Sequence, residues 1–213
     1  MNRTEWLGCH DPMLMLGAVR QRASDRKLQL FARACCRRAA DLFAPDHAAQ
    51  ARLLFEDDSE TGWTASGAPL APEPTDPFIL ELAFCLTDVS SWNAATAVLQ
   101  RIARAFAELC AGAGEAVLPL ADIEFEHQVA LAHDLFDHLF RPAPLLLAWV
   151  EGHPHLVALA RTIYEERTWS EMPVLADALE EAGCAEDDVL EHSREHPLHA
   201  RGCWVLDAVL ARF

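Results

Sequence analysis

Residues 24–43 read Ser24-Asp25-Arg26-Lys27-Leu28-Gln29-Leu30-Phe31-Ala32-Arg33-Ala34-Cys35-Cys36-Arg37-Arg38-Ala39-Ala40-Asp41-Leu42-Phe43. Ser24 is a side chain that caps helix N-termini, and Asp25 behind it complements the positive end of the helix dipole. Leu28, Phe31, Cys35, Ala39 and Leu42 recur at steps of three and four, which puts them on one face of a helix spanning Asp25 to Phe43. Arg26, Arg33 and Arg37 project elsewhere. A helix with one apolar face has to bury it, and no strand-like alternation flanks this one, so the partners it calls for are other helices.

The same grammar continues in both directions. Asp11-Pro12 opens a helix to about Arg22, since proline is tolerated in a first turn. A helix over Asp46 to Phe55 follows, then residues 56–77, where Pro69, Pro72, Pro74 and Pro77 sit among acids without periodicity and read as a long loop. Helical pattern resumes from Pro77 to Leu86. Ser90 or Ser91 caps a long helix to about Ala111, striped with Ala95, Val98, Leu99, Ile102, Phe106 and Leu109 and stopped by Gly112-Ala113-Gly114. Another spans Asp122 to Phe140, ended by Arg141-Pro142. Shorter ones are expected at about Leu145 to Trp149, Pro154 to Arg167, Pro173 to Ala182, Asp187 to Ser193 and Ala200 to Arg212. The expected fold is all-α: a multi-helix bundle of about eight to ten helices with one long, acidic, proline-rich loop at 56–77. A single helical domain over 1–213 is expected, with lobes 1–114 and 115–213 as the alternative division.

Composition narrows the function classes. Hydrophobic residues make up 52% of the 213, yet no apolar run approaches the roughly 18–20 uncharged residues needed to cross a bilayer. The first residues lack the apolar core of a secretory signal. Seven cysteines are an odd number for a disulfide framework, so reduced thiols and a cytoplasmic location are expected. The net charge of −16 is uneven: residues 1–43 hold eight Lys or Arg against four acids, +4, which leaves −20 on the rest. Such a surface repels duplex nucleic acid and argues against general nucleic-acid binding.

Two blocks resemble a group of bacterial helical proteins of the planctomycete type. The first contains Glu5-Trp6-Leu7, Asp11-Pro12 and Ser24 to Leu28, and continues through Phe31-Ala32 to Ala34-Cys35-Cys36-Arg37-Arg38. The second runs from Phe140-Arg141-Pro142 through Ile163 to Arg167 and Pro173 to Cys184, and ends with His199-Ala200-Arg201-Gly202-Cys203-Trp204-Val205-Leu206-Asp207. The resemblance implies kinship and bacterial origin and carries no activity with it.

Several constellations could carry chemistry. Cys184, His192, His199 and Cys203 are the ligand types of a Cys2His2 zinc site, at gaps of eight, seven and four residues that match no standard finger. Core thiols and helix-end histidines are the plainer account. Glu124 and His127 form a Glu-x-x-His pair of the kind used by di-iron bundles, but no second pair exists. An exposed polar face, with His133–Asp137 and Asp134–His138 at i,i+4 spacing, explains it more simply. Cys35 and Cys36 beside Arg37 and Arg38 invite a reactive-thiol reading, because nearby cations favour thiolate. Trp204 reads as a core anchor. Trp63 stands in the polar stretch Thr61-Gly62-Trp63-Thr64 and suggests docking, onto its own body or onto a partner.

The leading expectation is a non-catalytic accessory module without a cofactor, which captures a protein partner through its acidic surface and Trp63. The alternatives are a small structural zinc protein using Cys184, His192, His199 and Cys203, or an enzyme that holds an anionic ligand at Arg26, Arg33 and Arg37.

Overall fold

The computed structural model describes residues 1–44, 46, 55, 76–86, 88, 90–113, 118–141 and 150–212. The fold is all-α. Ten α-helices are delimited among the described residues, with no strand: α1 (Arg3–Leu7), α2 (Pro12–Val19), α3 (Asp25–Phe43), α4 (Pro77–Cys85), α5 (Ser91–Ala113), α6 (Leu118–Phe136), α7 (Pro154–Glu166), α8 (Met172–Glu181), α9 (Asp187–Glu195) and α10 (Trp204–Val209). None is long and apolar enough to cross a membrane. Apart from their end residues, the helix expected over Asp46 to Phe55 and the loop 56–77, with Trp63 in it, lie outside the described residues. So does the helix expected from Leu145 to Trp149.

Short polar side chains start these helices where the sequence places them. The Asp11 carboxylate accepts from the backbone N–H groups of Met13 and Leu14, and the Ser24 hydroxyl accepts from that of Lys27. Asp76 caps α4 through Phe78 and Ile79, and Ser90 caps α5 through Asn93. Each cap satisfies N–H groups that have no partner within the helix itself. Gly183 ends α8 at φ +94°, with Cys184 N–H donating to Leu179 and Gly183 N–H to Glu180, a Schellman closure.

The chain divides into two compact units, His10–Gln128 and Met1–Cys9 with Val129–Phe213. This differs from lobes at 1–114 and 115–213. The division falls inside α6, and α1 belongs with the C-terminal residues because Trp6 is completely buried there. Its ring stacks on Phe140 at 4.2 Å and meets His133 edge-on, while its indole N–H donates to Asp137.

In the N-terminal unit, α3 packs on α5 and α4, and α2 and α4 pack on α5. Phe31, Ala32, Cys35, Cys36 and Ala39 of α3 are buried, as are Ala95, Val98, Leu99, Ile102 and Phe106 of α5. Small residues alternating with large ones let the two helices interdigitate. Leu42 and Leu109, expected on the buried stripes, are instead exposed near the ends of their helices. In the C-terminal unit, α7, α8 and α10 close a core around Leu156, Ile163, Leu175, Leu179 and Trp204, and α9 packs on α8 and α10.

Replacing Gly183 by alanine tests the helix stop in isolation. A Cβ there meets no atom within 4 Å, so the cost is backbone strain alone. The expected destabilisation is about 1–2 kcal/mol in equilibrium denaturation; an unchanged midpoint would show that the left-handed conformation is not required.

Candidate metal centre

The most concentrated set of ligand-type side chains among the described residues lies in the C-terminal unit and joins three segments. Asp134 comes from the last turn and a half of α6, and His192 from α9. His199 and Cys203 come from the link between α9 and α10. That link turns sharply at Ala200-Arg201-Gly202-Cys203, closed by Cys203 N–H donating to the Ala200 carbonyl at 3.0 Å, with Gly202 at φ +88°. A left-handed φ at the third position of such a turn is the conformation glycine supplies without strain. The turn brings Cys203 back towards the histidines, and Trp204 after it packs against the His192 ring at 5.1 Å.

One ligand atom each from Asp134, His192, His199 and Cys203 lies within 4.8 Å of all the others. His192 Nε2 and His199 Nδ1 both meet the same oxygen, Asp134 Oδ1, at 3.1 and 2.9 Å. The second carboxylate oxygen accepts the Ala200 backbone N–H at 2.8 Å, which fixes the plane of the group. Cys203 Sγ lies 3.4 Å from His192 Nε2. Asp134 and Cys203 are completely buried, and the two histidines nearly so.

Burial alone pushes the Asp134 carboxyl up. The hydrogen bonds from His192 and His199, followed by their charges, outweigh it and hold the group well below the usual carboxylate range. Cys203 moves the other way: burial and then the Asp134 charge push its thiol well above the ordinary value. His196 is not one of the four but stacks beside His192 at 4.5 Å, and burial followed by the His192 charge lowers it to about 4. Its Nδ1 lies 2.7 Å from the Leu198 carbonyl and 3.4 Å from the Leu198 N–H, and the shorter contact favours the tautomer with the proton on Nδ1.

Three of the four residues expected from the sequence therefore converge, and the fourth place is taken by Asp134. Cys184 is not in the group; it sits 3% exposed in the apolar core, with its thiol raised by burial. The reading of α6 as an exposed polar face is corrected in two places. His133 and Asp137 do pair, at 2.8 Å. Asp134 turns inward to His192 and His199, and Glu124 is completely buried. Glu124 accepts from Arg38 at 3.3 Å and from Gln128 at 3.2 Å, and the other end of the Arg38 guanidinium reaches His127 Nδ1 at 2.6 Å. This is an ion pair with its own local partners.

The remaining candidates disperse. Burial pushes the Cys35 and Cys36 thiols well up, against a reactive role despite the neighbouring arginines. Arg26, Arg33 and Arg37 are half-buried along α3, and each is already engaged by another group. Trp204 is 2% exposed, a core anchor as expected. No family model, curated protein or solved structure matches the chain.

Glu124 provides a pH test of the N-terminal unit. Burial, opposed by Arg38 and Gln128, raises its pKa in the folded chain. The folded state then holds the proton more tightly than the unfolded state does. That contribution is complete below the ordinary glutamate range and is lost as pH rises through the raised value. Stability measured by urea denaturation should fall over this interval in the natural protein and be flatter in Glu124→Gln; parallel profiles would contradict the assignment.

Proposed function

We propose that this chain is a metalloprotein whose C-terminal unit is held together by one zinc-class divalent ion on Asp134, His192, His199 and Cys203. The observation that carries the reading is the convergence of these four groups in a buried site, with Asp134 oriented from behind by the Ala200 N–H. Tetrahedral zinc, with bonds of about 2.0–2.3 Å, spaces its ligand atoms roughly 3.3–3.7 Å apart. The contacts of 2.9, 3.1 and 3.4 Å between members of the set lie within a few tenths of an ångström of that range, and the remaining pairs, which extend to within 4.8 Å, would draw in as an ion binds.

Charge supports the same reading. The buried Asp134 carboxylate needs donating or positive partners, which His192, His199 and the Ala200 N–H supply, and the Cys203 thiol pushed up by burial stays protonated. A divalent ion bound by one carboxylate, one thiolate and two neutral imidazoles makes a complex with no net charge; the thiol proton leaves to solvent as it forms, and each imidazole keeps its proton on the ring nitrogen that does not bind the ion. Four protein ligands fill a tetrahedron and leave no position for a reacting water, so the role supported is structural. The ion would then tie the end of α6 to α9 and to the start of α10. The partner-capture reading depends on Trp63, which lies outside the described residues.

Metal analysis of the full chain, purified without an affinity metal column, tests this. About one ion per chain is expected. Cys203→Ser should weaken binding by at least the 10–100-fold that loss of an outer partner costs, whereas Cys184→Ser should keep the metal. Where metal stands a hundredfold above its dissociation constant, chelation should lower the melting temperature by about 5–11 °C. A metal-free chain, or metal equally retained in Cys203→Ser, would overturn the proposal.

A further inference from the structure

The four candidate ligands are buried, so an ion that reaches them needs a route through the protein surface. Next to the centre lies a cavity of about 360 Å³ whose walls include Trp6, Asp188, Glu191, His192, Glu195 and His196. Of the four ligands, His192 alone lines it. His192 is thus the residue shared by the two: its Nε2 belongs to the centre and the residue forms part of the cavity wall.

The cavity wall on α9 has the chemistry to attract a divalent cation. Glu191, His192 and Glu195 lie within one turn of each other, and His196 follows. Glu191 and Glu195 are exposed, and among the described residues no hydrogen bond or ion pair engages their carboxylates. His196 adds an imidazole whose Nδ1 is engaged by the Leu198 backbone, with its ring beside that of His192. The cations that also line the cavity are already compensated: Arg3 and Arg141 both pair with Asp188, and Arg141 also with Glu186. The cavity wall thus holds a pair of carboxylates one turn apart, an imidazole, and the one ligand that it shares with the centre.

We infer that this cavity is the loading port of the metal centre, where Glu191, Glu195 and His196 collect a hydrated divalent ion from solvent and pass it inward past the His192 side chain. The inference rests on the metal-centre reading and adds the route by which that centre is filled. Carboxylates at a cleft mouth raise the local concentration of a cation and speed its arrival, an effect that salt screens. The port acts on the rate of filling, while the number of ions bound belongs to the inner four residues.

The test uses the full-length chain stripped of metal, with zinc ion as the probe, and follows uptake by stopped-flow competition with a chromophoric chelator. Glu191→Gln/Glu195→Gln should slow uptake about fivefold or more at low ionic strength, with the difference shrinking as salt is added. Glu165→Gln/Glu166→Gln on α7 changes net charge equally and should leave the rate within twofold of the natural protein's, a bound of about the size expected for general charge alone. Final stoichiometry should stay at one ion in both variants. Equal rates in all three proteins with one zinc bound would overturn the port and leave the centre standing. No zinc in any of them would overturn both.

Discussion

The Asp134 carboxylate is completely buried and is met by three groups from outside its own helix: His192, His199 and the Ala200 N–H. A buried anion is tolerated only when its lone pairs are occupied, so these contacts constrain everything that delivers them. They require α9 to present His192, the link after α9 to present His199 and Ala200, and Gly202 to turn the chain so that Cys203 closes the set. The α9–α10 corner is organised around one side chain supplied by α6.

Fold class was readable because it depends on local rules. Caps at Asp11, Ser24 and Ser90, and apolar residues at steps of three and four, each act within a few residues and are visible in one dimension. The limits of these rules appear at Leu42 and Leu109, which hold positions on the apolar stripes and are nevertheless exposed. The division into units was less legible. Trp6 joins α1 to residues more than a hundred positions away, and nothing in its local sequence names that partner.

The site was legible in its local part and hidden in its distant one. His192, His199 and Cys203 lie within twelve residues and have the right ligand types, so sequence spacing alone brings them forward. Asp134 does not stand out beside His133, Asp137 and His138, which spell an exposed polar face. One signal does separate the buried acids. Ala121, Glu124, Gln128, Leu131 and Leu135 follow three- and four-residue steps, and all five are buried. Glu124 and Gln128 occupy stripe positions where apolar residues belong, and Asp134 sits among Leu131, Ala132, Leu135 and Phe136. A charged residue on a buried stripe implies a partner from another element. Cys184 misled for the opposite reason: a small buried thiol serves in a core as readily as it serves a metal.

The ligand set is the claim on which the rest stands, and X-ray absorption at the metal edge of the zinc-loaded chain reads it directly. The account predicts one sulfur at about 2.3 Å and three nitrogen or oxygen neighbours at about 2.0–2.2 Å. It also predicts that the sulfur shell disappears in Cys203→Ser and survives in Cys184→Ser. A first shell of nitrogen and oxygen alone, or two sulfurs with one of them lost in Cys184→Ser, would contradict it.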